Sequence, residues 1–221
     1  RRDWRLYSGL ARPINELLIE PQATVHDFNS GELSYDGFWY HHWYPKHTSP
    51  SVPKPKRAES VVRAANRLFD GARKSRWSEN CLSVLEDYFA AFSEHDTNSA
   101  FLGGWRLLER IGGWRYGDYK RIVDRAANCF ATHQEYKLLG QHLKSRRHSF
   151  AHFGEALEEH GDTIAHQMKE FISPLMRMYI HNPFGFHSEE ELWDFLDLPK
   201  DKYIRARRAH ALEVAAKFHR D

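Results

Sequence analysis

Six consecutive residues, Arg147-His148-Ser149-Phe150-Ala151-His152, hold the densest grouping of reactive side chains in the chain. They supply a permanent cation, two imidazoles and a hydroxyl, with no carboxylate and no thiol. That set holds a hard metal ion poorly. It suits the gripping of a phosphate and the movement of protons beside it, because a guanidinium forks onto phosphate oxygens and imidazole titrates near neutral pH. Arg146, His148 and Ser149 are secondary substrate-binding candidates, and Arg146 either binds a neighbouring phosphate or is simply solvated. His148 and His152 also stand four apart, a spacing that permits a zinc pair, but no Glu follows the first histidine as in metalloprotease helices and no third ligand is evident.

Spacing alone does not make a site. The chain has 21 arginines by count and 15 histidines, so about one or two Arg-x4-His pairs arise by chance. There are two: Arg147/His152 and Arg205/His210. Ala206-Arg207-Arg208-Ala209 between the second pair reads as the solvated face of an amphipathic helix, which makes that pair a decoy. Requiring Asn, Asp or His directly after the arginine cuts the chance expectation to about a quarter of a match, and His148 meets the requirement. The competing reading of Lys144, Arg146, Arg147 and His148 is a cationic helix end that complements the negative C-terminal pole.

The elements that must position this cluster are helical. From Ala58 onward the apolar residues recur at helical spacing. Val61, Val62, Ala65, Leu68 and Phe69 form one stripe. Ser78 is expected to cap a second helix that carries Leu82, Leu85, Tyr88, Phe89 and Phe92 on one face. Thr97 opens a third, with Phe101, Leu102, Trp105, Leu108 and Ile111, stopped by Gly112-Gly113. A shorter helix follows Asp118, through Ile122, Val123, Ala126 and Phe130. Thr132-His133-Gln134-Glu135 reads as a capping box that opens the helix carrying the cluster, predicted to end near Gly154. A long helix is predicted over about 155–181, with Ile164, Met168, Phe171, Ile172, Leu175 and Tyr179 inward. Ser188-Glu189-Glu190-Glu191 is a second capping box, and Pro199-Lys200-Asp201 separates two terminal helices.

Residues before 58 have a different character. Short strands are predicted at 14–19 and 23–28, with Asn29-Ser30-Gly31 as the turn into 32–35. Phe38-Trp39-Tyr40-His41-His42-Trp43-Tyr44 packs aromatics around two histidines; these rings either build the core of a small β-part, the favoured reading, or stack on bases. Residues 49–56, with Pro50, Pro53 and Pro55, read as a stiff linker. The resulting division is 1–57 as a β-rich segment with its linker, 58–187 as a helical domain, and 188–221 as a C-terminal helical extension. The chain opens on Arg1 without a methionine, and a larger N-terminal portion is expected.

Composition narrows the function classes. The formal charge of +2 excludes a polycationic nucleic-acid coat, while the excess of arginine over lysine favours bidentate phosphate contact. Cys81 and Cys129 make no metal spacing, which points to a reducing, cytoplasmic setting. No membrane span or signal peptide is expected from the given residues.

With its place in the helical order, Arg147-His148-x-x-x-His152 resembles the Arg-(Asn/Asp/His)-x-x-x-His motif of the HEPN superfamily of ribonucleases. The resemblance covers about residues 58–182 and is most like the ApeA-like branch, whose Trp-x-x-Leu-Glu helix is similar to Trp105-Arg106-Leu107-Leu108-Glu109. That branch's motif ends near an aliphatic-His-Gly, where this chain has Ala151-His152-Phe153-Gly154, one aromatic more. The resemblance implies an all-α, HEPN-like bundle of about five helices and a metal-independent endoribonuclease, a hydrolase-type nuclease acting on single-stranded RNA as a toxin or antiviral defence effector. Arg147 and His152 would be its catalytic residues, without cofactor, at a cleft formed by a homodimer. RNA, a second copy, and an antitoxin or sensor domain are the partners implied. An ideal helix turns about 140° over five residues, so Arg147 and His152 converge only if the helix end unwinds or across a two-fold axis. Glu109 either orients a motif side chain or, as the favoured reading, makes a surface or interhelical ion pair; His166 either reaches the cleft or, as the favoured reading, is a satisfied helix histidine. The competing functions are a non-catalytic helical module that dimerises and binds RNA or a partner protein, and a helical scaffold with a metal at its histidines.

Overall fold

A computed structural model describes residues 22–27, 29–40, 55–94, 96–114, 118–153 and 161–218. The predicted strand at 14–19 and residues 41–44 of the aromatic run lie outside the described residues. Two strands, β1 (Gln22–His26) and β2 (Leu33–Tyr40), pair antiparallel with Ala23 opposite Trp39, and a register irregularity falls between Thr24 and His26. The turn between them is held by the Asp27 carboxylate, which accepts from the backbone N–H groups of Asn29 and Ser30.

The rest of the described chain is helical: α1 (Pro55–Lys74), α2 (Ser78–Ser93), α3 (Thr97–Ile111), α4 (Tyr119–Ala127), α5 (His133–Phe153), α6 (Gly161–His181), α7 (Glu189–Leu196) and α8 (Lys202–Phe218). α1 begins inside the segment expected to be linker. Pro55 is its first residue, where a missing N–H is tolerated and the fixed φ suits the helix. α6 is the central element and packs against each of α1 to α5. Its Ile164, Met168, Phe171, Ile172, Leu175 and Tyr179 are all buried, and the helix runs unbroken through Pro174. Two glycines permit the close approach of neighbours: a Cβ at Gly104 would meet Phe92 and Met168, and one at Gly140 would meet Val123 and Phe171.

Several expectations need correction. Ser78 does not cap α2; it is the first helical residue, and Trp77 stands at the cap position without a side-chain cap bond. The buried face of α2 is Cys81, Val84, Leu85, Ala91 and Phe92, whereas Leu82 and Phe89 lie at its exposed edge. The α1 stripe is not buried along its length either: Val61, Val62, Ala65 and Phe69 are exposed, because α1 packs through its last turns, where Ala72 is buried and Gly71 meets His181. Asp96, overlooked in the sequence, caps α3 by accepting from Asn98 and Ser99. At α7 the cap is Ser188, but the returning carboxylate of Glu191 accepts from the N–H of His187, one residue earlier than a capping box predicts.

The two halves of the 188–221 extension behave differently. Leu192 and Leu196 of α7 belong to the main core, while α8 buries no residue. Among the described residues, no helix is long and apolar enough to cross a membrane.

Candidate functional site

α5 carries its cluster out of the core. Gly140 and Leu143 are buried, but every residue from Lys144 to His152 is half-buried or exposed. The helix lies between α4 and α6 for its first turns and runs on over the surface. Arg147 is the anchored member. Its guanidinium lies 4.6 Å from the ring centre of Tyr119 and 3.8 Å from a carboxylate oxygen of Glu109. A cation over an aromatic face is attracted by the ring quadrupole. The carboxylate contact is too long for a good hydrogen bond, so the N–H groups of Arg147 are not saturated by it.

Glu109 has a firmer partner. Its Oε1 accepts from Trp105 Nε1 at 2.7 Å, four residues earlier on α3. Trp105 is buried, so this bond satisfies an indole N–H that has left water. Glu109 thus makes an interhelical ion pair with Arg147 while its shorter bond is to Trp105 on its own helix. Tyr119 in turn stacks with Trp114 at 6.0 Å and 25° and touches Trp105 at 6.0 Å and 55°. Arg147 therefore sits on a frame built by α3, the following loop and the start of α4.

His148 and His152 share one face of α5, both exposed, with ring centres 4.3 Å apart. The helix stays regular through Phe153. Unwinding therefore does not bring Arg147 and His152 together, and within one chain they occupy different faces. Arg146 is exposed and Ser149 half-buried; His166 is half-buried on α6. Among the described residues no three His, Cys, Asp or Glu side chains gather as metal ligands. Burial pushes the Cys129 thiol up to about 12, which removes it as a thiolate nucleophile near neutral pH.

The decoy pair resolves structurally. Arg205 Nη1 donates to the carbonyls of Pro199, at 3.0 Å, and Lys200, at 2.7 Å, so it ties the α7–α8 connection. His210 is exposed on α8.

A second network, which spacing does not reveal, braces the frame from behind. Arg125, the one buried charged residue among those described, donates to Asp197 at 2.9 and 2.7 Å and to the carbonyls of Gly112 and Gly113. Arg121 reaches the same carboxylate at 2.6 and 2.8 Å. Partial burial alone would push the Asp197 carboxyl up, but the bonds from Arg125 and Arg121 outweigh it and hold the group below the ordinary carboxylate range. Trp193 Nε1 donates to the Ile111 carbonyl at 2.9 Å. Gly113 has φ +64°, and a Cβ there would come within 2.5 Å of the Trp193 ring. The sequence marks this turn only by its Gly-Gly pair; Trp114 and Tyr119 beyond it carry no motif. Comparison with protein-family models, characterised proteins and solved structures returns no match.

Proposed function

We propose that this chain is a metal-independent endoribonuclease of the HEPN type, cleaving single-stranded RNA at a site shared by two copies, and serving as a toxin or antiviral defence effector. The observation that carries the reading is the setting of Arg147. Its guanidinium is held on Tyr119 beside Glu109, near the surface end of α5, with hydrogen-bonding capacity left over. His148, the next residue, and His152, one turn after it, lie exposed on a common face with ring centres 4.3 Å apart.

Cleavage of RNA by its own 2′-hydroxyl needs no cofactor. A base takes the 2′-hydroxyl proton, the 2′-oxygen bonds to phosphorus, and the bond from phosphorus to the 5′-oxygen breaks as that oxygen receives a proton. His152 is the proton-transfer residue in this scheme, a contribution of about a hundred- to ten-thousand-fold. Arg147 stabilises the charge on the phosphorane oxygens. Since the two residues occupy different faces of one regular helix, each active cleft takes its arginine and histidine from facing copies.

The test is cleavage of mixed single-stranded RNAs with EDTA present. His152→Ala and Arg147→Ala should each lower the rate by at least about a hundredfold, with circular dichroism unchanged and wild-type products ending in a 2′,3′-cyclic phosphate. Undiminished cleavage by either variant, or activity that chelator removes, overturns the proposal. RNA binding without turnover, insensitive to His152→Ala, would identify a non-catalytic binding module instead.

A further inference from the structure

The frame that holds Arg147 also presents an indole to solvent. Trp114 follows the α3 stop, and its backbone N–H donates to the Glu109 carbonyl at 2.9 Å. Its ring stacks with Tyr119, the same ring that carries the Arg147 guanidinium. Even so, 41% of Trp114 remains accessible. Large aromatic rings gain most by burial, and the other two tryptophans of this region are tied down, Trp105 to Glu109 and Trp193 to Ile111. Trp114 instead sits on a turn fixed from both sides, by Arg125 on the Gly112 and Gly113 carbonyls and by Trp193 against Gly113. The indole is therefore exposed and held in place by its surroundings.

We propose that Trp114 is a stacking platform for a nucleobase of single-stranded RNA, adjacent to the phosphate gripped by Arg147. The inference rests on the reading of Arg147 as a phosphate-binding residue, and it adds a base-binding subsite to that half of the cleft. Grooves that bind single strands combine cations on the backbone with aromatic faces on which bases stack, whatever the base. Here one cation and one exposed aromatic share Tyr119 as a common neighbour. A platform of this kind selects unpaired nucleotides, because a base inside a duplex is already stacked on both faces. Stacking of this kind tolerates any of the four bases, since every base has a π-face. Its rigidity matters: a preorganised ring spends less ordering entropy on binding than a mobile one.

The experiment uses the whole chain and a single-stranded RNA rendered uncleavable by 2′-deoxy substitution, with a second oligonucleotide of the same backbone that lacks its bases. Dissociation constants are measured for wild type, Trp114→Ala and Trp114→Phe. Trp114→Ala should weaken binding of the base-bearing strand by about tenfold or more and leave the abasic strand unaffected. Trp114→Phe should restore most of the loss. Unchanged binding of the base-bearing strand by Trp114→Ala overturns the inference, as does an equal loss for both strands, which would assign the indole a structural role. A change of sedimentation coefficient in Trp114→Ala would overturn it in favour of a contact between copies. Failure of the ribonuclease reading is separately visible: wild type would bind these strands with this pattern yet leave the unmodified RNA, which keeps its 2′-hydroxyls, uncleaved.

Discussion

Glu109 touches two partners of opposite character, and their magnitudes decide what it does. The contact with Arg147 is a partly exposed ion pair at 3.8 Å, with 25% and 21% of the two side chains accessible. Pairs of that kind contribute about 0.2–1 kcal/mol. The bond from Trp105 Nε1 is short and satisfies a buried donor, whose loss costs about 1–3 kcal/mol. Glu109→Gln retains an acceptor for the indole and should shift stability by less than about 1 kcal/mol, whereas Glu109→Leu should cost about 1–3 kcal/mol. Urea denaturation of the two variants tests this; equal losses would mean that the ion pair dominates. At this scale the sequence is legible only where partners lie close along the chain. Trp105 and Glu109 share a helix face at i, i+4, and the Arg147–His152 cluster is contiguous. Tyr119 and Trp114 lie outside any such pattern, because their tie to Arg147 spans about thirty residues and depends on how α3, α4 and α5 pack. Arg205 shows the reverse: the same spacing as Arg147, with its guanidinium committed to backbone carbonyls.

Among the elements, the stripes of α3, α4 and α6 are readable almost residue by residue, since each turns a continuous apolar face inward. α2 is not. Leu82 and Phe89 are as apolar as Val84 and Ala91, and the placement of α1, α3 and α6 decides which side is covered. α7 is short, and its importance comes from Asp197 at its C-cap together with Trp193. Asp197 faces Arg125, whose side chain is 4% exposed. Asp197→Asn removes the charge opposite a buried guanidinium and should cost on the order of 3 kcal/mol at neutral pH. The sign of the pH effect follows from the lowered carboxyl pKa. The folded state binds this proton less readily than the unfolded chain, so the stabilisation is fully present above the unfolded value of about 3.9 and is lost as pH falls through the folded value. The gap between the denaturation midpoints of wild type and Asp197→Asn should therefore stay constant from pH 7 to about pH 5 and narrow below about pH 4, measured down to pH 3. A gap that stays constant over the whole range would show that the charge is not the source of the difference.

Seen whole, the molecule leaves apolar surface that its own described residues do not cover. Val61 and Val62 of α1 are 57% and 56% exposed. α8 has 17 residues, buries none of them, and holds Tyr203, Leu212 and Phe218 in the open. Most helical stability in proteins comes from packing of a face rather than from propensity. On the proposed reading of the α5 cluster a second copy supplies the facing half of the cleft, because Arg147 and His152 diverge on one regular helix. Mixing two inactive variants separates a shared site from one complete within a chain. If each cleft combines Arg147 of one copy with His152 of the other, a heterodimer of Arg147→Ala and His152→Ala has one cleft lacking both residues and one cleft intact. Random pairing of equal amounts makes half of the dimers mixed, so about a quarter of wild-type cleavage should return. Each variant alone should remain inactive, and the recovered activity should fall on dilution as dimers dissociate. No recovery, with sedimentation showing that mixed dimers have formed, would place both residues in a single chain's site and rule out the shared cleft.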